Sequence, residues 1–233
     1  MKKIVSFIGS CKNKSSNTYQ YTRLILNKAA EREKFENVIL FPDKIQLCMK
    51  CSNCFSSGQC SIHDDMTRIK EEILDADLII LGSGIYFQQI SSEMKNFIDR
   101  LSYWAHTFEL IGKKCIIVTT SGSNGNDVAE AYMKRVAASL GMQIIGTTSC
   151  HTLYPNELSA SYLIDKRIDL IVNLIIDELN NRIPLYSLPF QEQLFLSMKK
   201  IYSEHKEFVF ERKKWNQKGY FDAQSFKELL LKA

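Results

Sequence analysis

A cluster of cysteines is the strongest chemical signal in this sequence. Four of the seven cysteines lie within thirteen residues and follow the spacing C-x2-C-x2-C-x5-C: Cys48, Cys51, Cys54 and Cys60. Thiolates at such spacing can converge on one soft metal centre, and the first three cysteines match the spacing of a compact ferredoxin-like run. Zinc sites more often join two separated C-x2-C pairs. The pattern therefore favours an iron–sulfur cluster over zinc, with free thiols as the third alternative.

A polar loop near the start of the chain has the residue types that bind an anion. Residues 9–18 read G-S-C-K-N-K-S-S-N-T and join a buried apolar run to a helical pattern. Hydroxyl groups and backbone N–H groups at a helix N-terminus favour negative charge, and Lys12 adds a cation. The loop matches neither the Walker A motif nor G-x-G-x-x-G, so a single phosphate monoester is favoured. The alternative is a plain polar turn whose serine or asparagine only caps the helix.

Two further loops rich in glycine and serine follow later apolar runs. Gly82-Ser83-Gly84 leads into the aromatic pair Tyr86 and Phe87, which could wall a flat ligand, and Ser121-Gly122-Ser123 follows the next run. Ligands of open α/β sheets bind at the carboxyl ends of the strands. The three loops together therefore predict one composite small-molecule site.

The elements that must position these residues alternate in type along the chain. Continuous apolar runs of strand length predict parallel strands covered on both faces. The predicted strands span 3–8, 38–41, 78–81, 114–120 and 143–148, and the predicted helices span 19–30, 66–74, 92–101, 126–140 and 157–179. Residues 1–182 are thus expected to form one α/β domain, with the Cys-rich loop at 48–60, and 183–233 a helical C-terminal extension.

Composition excludes several classes of protein. Among 233 residues, 45% are hydrophobic, and the formal net charge is only +4, so neither a disordered chain nor a strongly nucleic-acid-binding surface is indicated. No apolar run reaches the ~18 residues that a membrane span needs. The odd cysteine count, without a secretion signal, disfavours a disulfide framework. We expect a soluble, cytoplasmic protein.

The three loops resemble those of the NAD(P)H-dependent FMN reductases and multimeric flavodoxins. Residues 9–18 are similar to the family loop G-S-P-R…S/G-N-T, with Cys11 for the proline and Lys12 for the arginine. Residues 83–100 look like the family segment S-P-x-Y…S-x-x-M-K-x-F-I-D-R, with Gly84 for the proline, and 119–125 resemble the third flavin loop. The resemblance implies a flavodoxin-like, doubly wound, five-stranded parallel sheet. It also implies the FMN contacts Ser10, Lys12, Ser16, Asn17, Thr18, Gly84, Ile85, Tyr86, Phe87, Thr120, Ser121 and Gly122.

The cysteine cluster resembles that of the iron–sulfur flavoproteins, whose compact C-x2-C-x2-C-x(4–7)-C motif holds a [4Fe-4S] cluster beside FMN. Cys48, Cys51, Cys54 and Cys60 match this motif position by position. Many FMN reductases carry a broader pattern that ends in D-D-M and is not always metallated, and Asp64-Asp65-Met66 fit it as well. Cluster, zinc and free thiols therefore all stay open.

The function implied by the resemblance is an FMN-dependent oxidoreductase. NAD(P)H would reduce the FMN by hydride transfer, and electrons would pass to a quinone, a free flavin, a nitro or azo compound or a protein, with the cluster serving one-electron acceptors. The alternatives are an FMN electron carrier without a nicotinamide site and a zinc-stabilised interaction domain. A homodimer or homotetramer is expected. The extension would either cover the domain's own core or form a dimer arm or lid that brings Trp215 and Tyr220 over the flavin.

Overall fold

A computed structural model describes residues 1–232 as a central parallel sheet flanked by helices. The five parallel strands lie in the order β2-β1-β3-β5-β6. They are β1 (Lys3–Gly9), β2 (Glu36–Leu40), β3 (Leu78–Tyr86), β5 (Lys114–Ser121) and β6 (Gln143–His151), and the two-residue β4 (Gln89–Ile90) pairs antiparallel with the end of β3. The predicted flavodoxin-like class is confirmed, because this order places the switch point between β1 and β3.

Helices cover both faces of the sheet. They are α1 (Asn17–Ala30), α2 (Asn53–Ser57), α3 (Met66–Asp75), α4 (Ser92–Leu101), α5 (Asn126–Ser139), α6 (Asp165–Leu179), α7 (Pro189–Glu204), α8 (Val209–Gln217) and α9 (Phe226–Leu230). One apolar core lies between the sheet and α1 and α6, and the other lies under α3, α4 and α5. All eight residues of β5 are buried, as expected for a strand covered on both faces. None of the described helices is long and apolar enough to cross a membrane.

The closing helix begins later than the sequence pattern predicts. The apolar spacing predicts a helix that begins at Glu157, but α6 starts at Asp165. A short 3-10 turn, Ser161–Leu163, precedes it. The buried carboxylate of Glu157 instead accepts the backbone N–H of His151, at 2.7 Å, and forms an ion pair with Arg167. These bonds hold the segment as a turn at the end of β6, so the apolar spacing there does not continue as helix.

The C-terminal helices form a third apolar cluster outside the sheet. Its centre is Trp215, which is fully buried and stacks on Phe195 with 5.5 Å between ring centroids. Tyr220 is also buried there, and Phe108, from the segment that follows α4, joins the cluster. The two aromatic residues predicted to reach the flavin site therefore pack within this chain's own cluster, and the role of the extension as an arm or lid stays a prediction.

Candidate functional site

The loop after β1 is built as the cap of α1. Ser16 occupies the N-cap position, where its hydroxyl accepts the backbone N–H of Tyr19 and donates to the carbonyl of Asn13. Ser15 instead donates to the carbonyl of Lys12, at 2.6 Å. The first backbone N–H groups of a helix lack intrahelical partners. The backbone N–H groups of Asn17 and Thr18 are therefore available as hydrogen-bond donors. Capping and anion binding are thus compatible roles of one loop.

The second loop is positioned by the N-terminus of α4. Ser91 caps this helix by accepting the N–H of Met94, at 3.1 Å, and donates to the carbonyl of Gly9, at 2.6 Å. A Cβ on Gly9 would lie 2.6 Å from the Cβ of Met94, so only glycine allows this approach. The serine and methionine of the second motif therefore fix the first loop against the helix.

Hydroxyl groups connect the first and third loops. Thr18 and Thr120 are both buried, and their hydroxyl oxygens are 2.6 Å apart. Ser121 contacts the amide oxygen of Asn126 at 2.5 Å, and the amide nitrogen of Asn126 donates to Thr119. The polar groups of the third loop are thus held by hydrogen bonds to the start of α5.

These loops enclose one cavity of about 210 Å³ at the carboxyl edge of the sheet. Eleven of the twelve predicted contact residues line it; Phe87 does not. Phe87 and Gln88 form the two-residue turn between β3 and β4, both with positive φ, and the Phe87 ring points fully into solvent. The cavity is also lined by Ser15 and Thr152, which were not among those twelve. Thr152 directly follows β6, but no glycine or serine loop marks that strand end in the sequence.

The four clustered cysteines line a second cavity, of about 360 Å³, beside α4. Cys51 is exposed and the other three thiols are partly buried. Hydrogen bonds from the backbone of Asn53 and from the Ser61 hydroxyl lower the pKa of Cys51, whereas burial and the neighbouring Cys60 thiol raise the pKa of Cys54. Among residues 1–232, no three histidine, cysteine or acidic side chains are grouped as a metal site. The structure brings the thiols to one cavity without closing them into a ligand set.

The cysteine loop is fastened to α4 by a buried ion pair. Arg100 contacts both carboxylate oxygens of Asp64, at 2.7 and 2.9 Å, and also donates to the carbonyl of Gln46. Asn96 accepts the N–H of Cys48 and donates to the carbonyl of Gln46. The D-D-M and F-I-D-R motifs of the sequence therefore meet in this network, which holds both ends of the loop.

One donor of this network is left over. The Nε atom of Arg100 is buried and has no hydrogen-bond partner among the described residues. Burial would lower the pKa of Arg100, but the Asp64 carboxylate and the Cys60 thiol raise it above its usual value. Arg100 and Cys60, the last cysteine of the cluster, also line one cavity in common.

Comparison with known proteins gives a family and a fold. The model of a family described as NADPH-dependent FMN reductase matches residues 2–151. An iron-sulfur flavoprotein of Archaeoglobus fulgidus is 32% identical over 124 residues, which cover 53% of this chain and 56% of the relative. The chain spans about half the length of the curated relatives it matches.

Two solved structures share the fold. RosB with a bound riboflavin-5′-phosphate derivative superposes with a TM-score of 0.61 at 13% identity, covering 88% of each chain. The apo form of an NADH:FMN oxidoreductase superposes with a TM-score of 0.54 at 20% identity, covering 82% of this chain and 94% of that chain. At these identities the likeness concerns the fold.

Proposed function

The chain belongs to the NADPH-dependent FMN reductase family, and on this premise we propose that it binds FMN at the carboxyl edge of its sheet and catalyses electron transfer from NAD(P)H to a second acceptor. The observation that carries the proposal is the single cavity formed by the three loops at the β1/β3 switch point. Flavin sites of this fold lie at that switch point.

The part of the cavity that the first loop lines suits the phosphate of FMN. It combines the N-terminus of α1 with the hydroxyl groups of Ser10, Ser16 and Thr18, all at most 8% exposed. Lys12 supplies a cation to the same cavity. A helix N-terminus and a nearby lysine stabilise a phosphate dianion through charge-assisted hydrogen bonds.

The outer part of the cavity suits a flat ring system. Ile85 and Tyr86 line it, and Tyr86 is 61% exposed, so its ring is available to a ligand. Gly125, with φ +84°, lets the third loop approach Gln88 and Ile85, where a Cβ would lie 3.0–3.2 Å from them. The second and third loops thus form adjacent walls of one slot.

FMN, when bound, supplies the chemistry itself by accepting a hydride from a reduced nicotinamide and returning electrons to an acceptor. The chain's residues bind and orient: Lys12 and the first-loop hydroxyls hold the phosphate end, and Ile85 and Tyr86 hold the ring end. No side chain of the cavity is needed as a general acid or base. The acceptor we propose is a quinone, a flavin, a nitro or azo compound or a redox protein.

The cysteine loop fits an iron–sulfur cluster by its donor set. One cavity is lined by Cys48, Cys51, Cys54 and Cys60. The buried Nε–H of Arg100, which has no hydrogen-bond partner among residues 1–232, is a donor suited to a metal-bound thiolate. We propose these four residues as ligands of a [4Fe-4S] cluster, which would serve single-electron acceptors. Anaerobic reconstitution with iron and sulfide tests this: about four irons and four sulfides per chain support it. Stoichiometric zinc, or no metal at all, contradicts it.

A second copy of the chain is the proposed cover of the cavity mouth. Tyr86, Phe87, Leu153 and Tyr154 are all more than 60% exposed around this edge. Exposed apolar groups next to a ligand cavity are typical of an interface. Light scattering tests this, with a homodimer or homotetramer expected and a monomer contradicting it.

Titration with FMN tests the binding site. Lys12→Met should weaken FMN binding about tenfold to a hundredfold, the value of one charge-assisted hydrogen bond. Lys14→Met is the matched control, because Lys14 belongs to the same loop but does not line the cavity. Equal affinities of the two variants would contradict the assignment of Lys12.

Anaerobic stopped-flow reduction tests the activity. Mixing the FMN-loaded protein with NADPH or NADH should bleach the flavin absorbance with at least one of the two nucleotides. Tight FMN binding without reduction by either nucleotide would identify an electron carrier instead. Failure to bind FMN at all would overturn the proposed function.

A further inference from the structure

A third cavity, of about 580 Å³, adjoins the cavity that the four clustered cysteines line (the thiol cavity). It is bounded by α3, by the segment that follows α4, by the end of the cysteine loop and by α8. Its volume is within the range of small-molecule sites, roughly 300–1,000 Å³. Cys60 and Ile62 line both this cavity and the thiol cavity, so a ligand here would lie against the cysteine loop.

Aromatic rings form one wall of this cavity. Tyr103 and Trp104 are less than 10% exposed and meet edge to face, with 6.3 Å between ring centroids. Phe210, from α8, continues the wall. Gly58 has φ +77°, and a Cβ there would lie 2.3 Å from the Phe210 ring, so the tail helix rests directly on the cysteine loop. Aromatic side chains from two parts of the chain therefore line the cavity.

Two lysines of the cavity have no carboxylate partner in the described part of the chain. Lys70 lies 5.0 Å from the ring centroid of Tyr103 and 5.9 Å from that of Trp104, and Lys214 lies 6.0 Å from that of Phe210. Of the other charged or titratable groups that line the cavity, Arg100 pairs with Asp64, Glu109 pairs with Lys218, and His63 is exposed. Glu71 is exposed at the rim. Two cations beside aromatic rings thus remain available to an anion.

The part of the cavity wall that α8 forms is held in place by hydrogen bonds. The indole N–H of Trp215 donates to the carbonyl of His106, at 2.8 Å, and the buried Glu211 contacts Nδ1 of His106 at 3.0 Å. Trp215 itself is fully buried. Since these bonds anchor α8 to the segment that carries Trp104, Phe210 and Lys214 are pre-organised for a ligand.

We propose that this cavity is a binding site for a small planar aromatic anion, a carboxylate or sulfonate. The ring lies on the wall of Tyr103, Trp104 and Phe210, and Lys70 and Lys214 bind the anionic group. The family match ends at residue 151, so α8 adds Phe210 and Lys214 to this site from outside the matched region. The proposal does not depend on flavin binding or on a metal.

Calorimetric titration with naphthalene-2-sulfonate, a redox-inert probe, tests the site. One molecule should bind per chain, and Lys70→Met and Lys214→Met should each weaken binding about tenfold to a hundredfold, as expected for a lost charge-assisted hydrogen bond. Lys70→Arg keeps the charge and should retain binding. Lys213→Met is the matched control: Lys213 is an exposed neighbour on α8 that does not line the cavity.

The titration is run with and without saturating FMN, so that its result is separate from the proposed function. Binding that is unchanged by FMN supports the site. Displacement of the probe by FMN would place it in the flavin cavity and overturn the proposal. Absence of binding at millimolar probe, or equal affinity of Lys70→Met and wild type, would overturn it too. Urea unfolding of each variant verifies that the native fold is kept.

Discussion

The cavity proposed to bind FMN (the flavin cavity) and the cysteine loop are both sites where polar groups converge, but their side chains are held by hydrogen bonds to different degrees. In the flavin cavity, buried hydroxyls bind one another or the backbone, as in the pairs Thr18–Thr120 and Ser91–Gly9. In the cysteine loop, the contact from Cys51 to the Ser61 hydroxyl is 3.9 Å long, and the thiols are exposed or half-exposed. Short hydrogen bonds hold the side chains of the first site, whereas the contact of Cys51 in the second is long.

The difference follows from where the groups sit. The flavin loops extend directly from strands whose ends are fixed by the sheet, so their side chains are placed within short distances of one another. The cysteines lie in a long connection in which Lys50 and Ser52, on either side of Cys51, have the positive φ that is uncommon outside glycine. Hydrogen bonds to α4 fasten the ends of that connection through Asp64, Asn96 and Arg100.

The largest expected effect comes from removing the fastening of the cysteine loop. Arg100→Met leaves the Asp64 carboxylate buried, with both side chains of the pair less than 5% exposed. Losing one partner of a buried ion pair costs about 3–5 kcal/mol of unfolding free energy, measurable by urea denaturation.

Lys95→Met is the control for this variant. Lys95 lies on the same helix and pairs with Asp99, but both side chains are more than 40% exposed. Exposed helix pairs contribute only about 0.3–0.5 kcal/mol. A similar loss in the two variants would contradict the structural role given to Arg100.

The flavin cavity should be sensitive to an added methyl group at Gly9. Gly9→Ala places a Cβ 2.6 Å from the Met94 Cβ and 2.9 Å from its backbone nitrogen, so α4 must shift. Overpacking of this kind costs about 1–3 kcal/mol of stability, and FMN affinity should fall with it. Gly122→Ala is the matched control, since its nearest neighbour would be at 3.8 Å; equal stability loss in both variants would refute the close-approach argument.

The free energy of unfolding should depend on pH through the ion pair of Asp64 with Arg100. Burial alone would raise the pKa of Asp64, but hydrogen bonds from Arg100 and from the backbone of Gln46 and Met66 hold it below its usual value. A carboxyl group with a lowered folded-state pKa contributes stability above its unfolded-state pKa, about 3.9, and loses it as the pH falls through the folded-state value.

Asp64→Asn should therefore be less stable than wild type at pH 7, and the gap should narrow below about pH 4. Protonation of one group changes the unfolding free energy by at most about 1.4 kcal/mol per pH unit. Urea midpoints measured from pH 7 to pH 3 give the gap directly. If the urea midpoints of the two proteins changed in parallel with pH, Asp64 would not be the group whose protonation lowers the stability.

The smallest effect is expected for the hydroxyl pair between the first and third loops. Thr18→Val and Thr120→Val each remove one of two buried oxygens that are 2.6 Å apart. A double-mutant cycle on urea stability should give a coupling energy of about 0.5–1.5 kcal/mol. Strictly additive losses would mean that the two loops are held together by other contacts.

Much of the flavin cavity could be predicted because each loop follows its strand directly. The apolar runs, the glycine and serine endings and the switch-point rule predict one composite site, and eleven of the twelve contacts that the family resemblance implies line one cavity. Phe87 is the exception: it occupies a turn position whose positive φ directs the ring into solvent. Thr152 was missed because its loop carries no glycine or serine signal.

What the sequence by itself determined is local: the periodicity of strands and helices and the spacing of four thiols. Tertiary structure alone decided which distant groups meet, because side-chain partners far apart in the chain leave no periodic trace. Glu157 in a turn rather than a helix, Arg100 on Asp64, and α8 against the cysteine loop are such cases. Each is fixed by burial of a charge or a ring that only the assembled fold can cover.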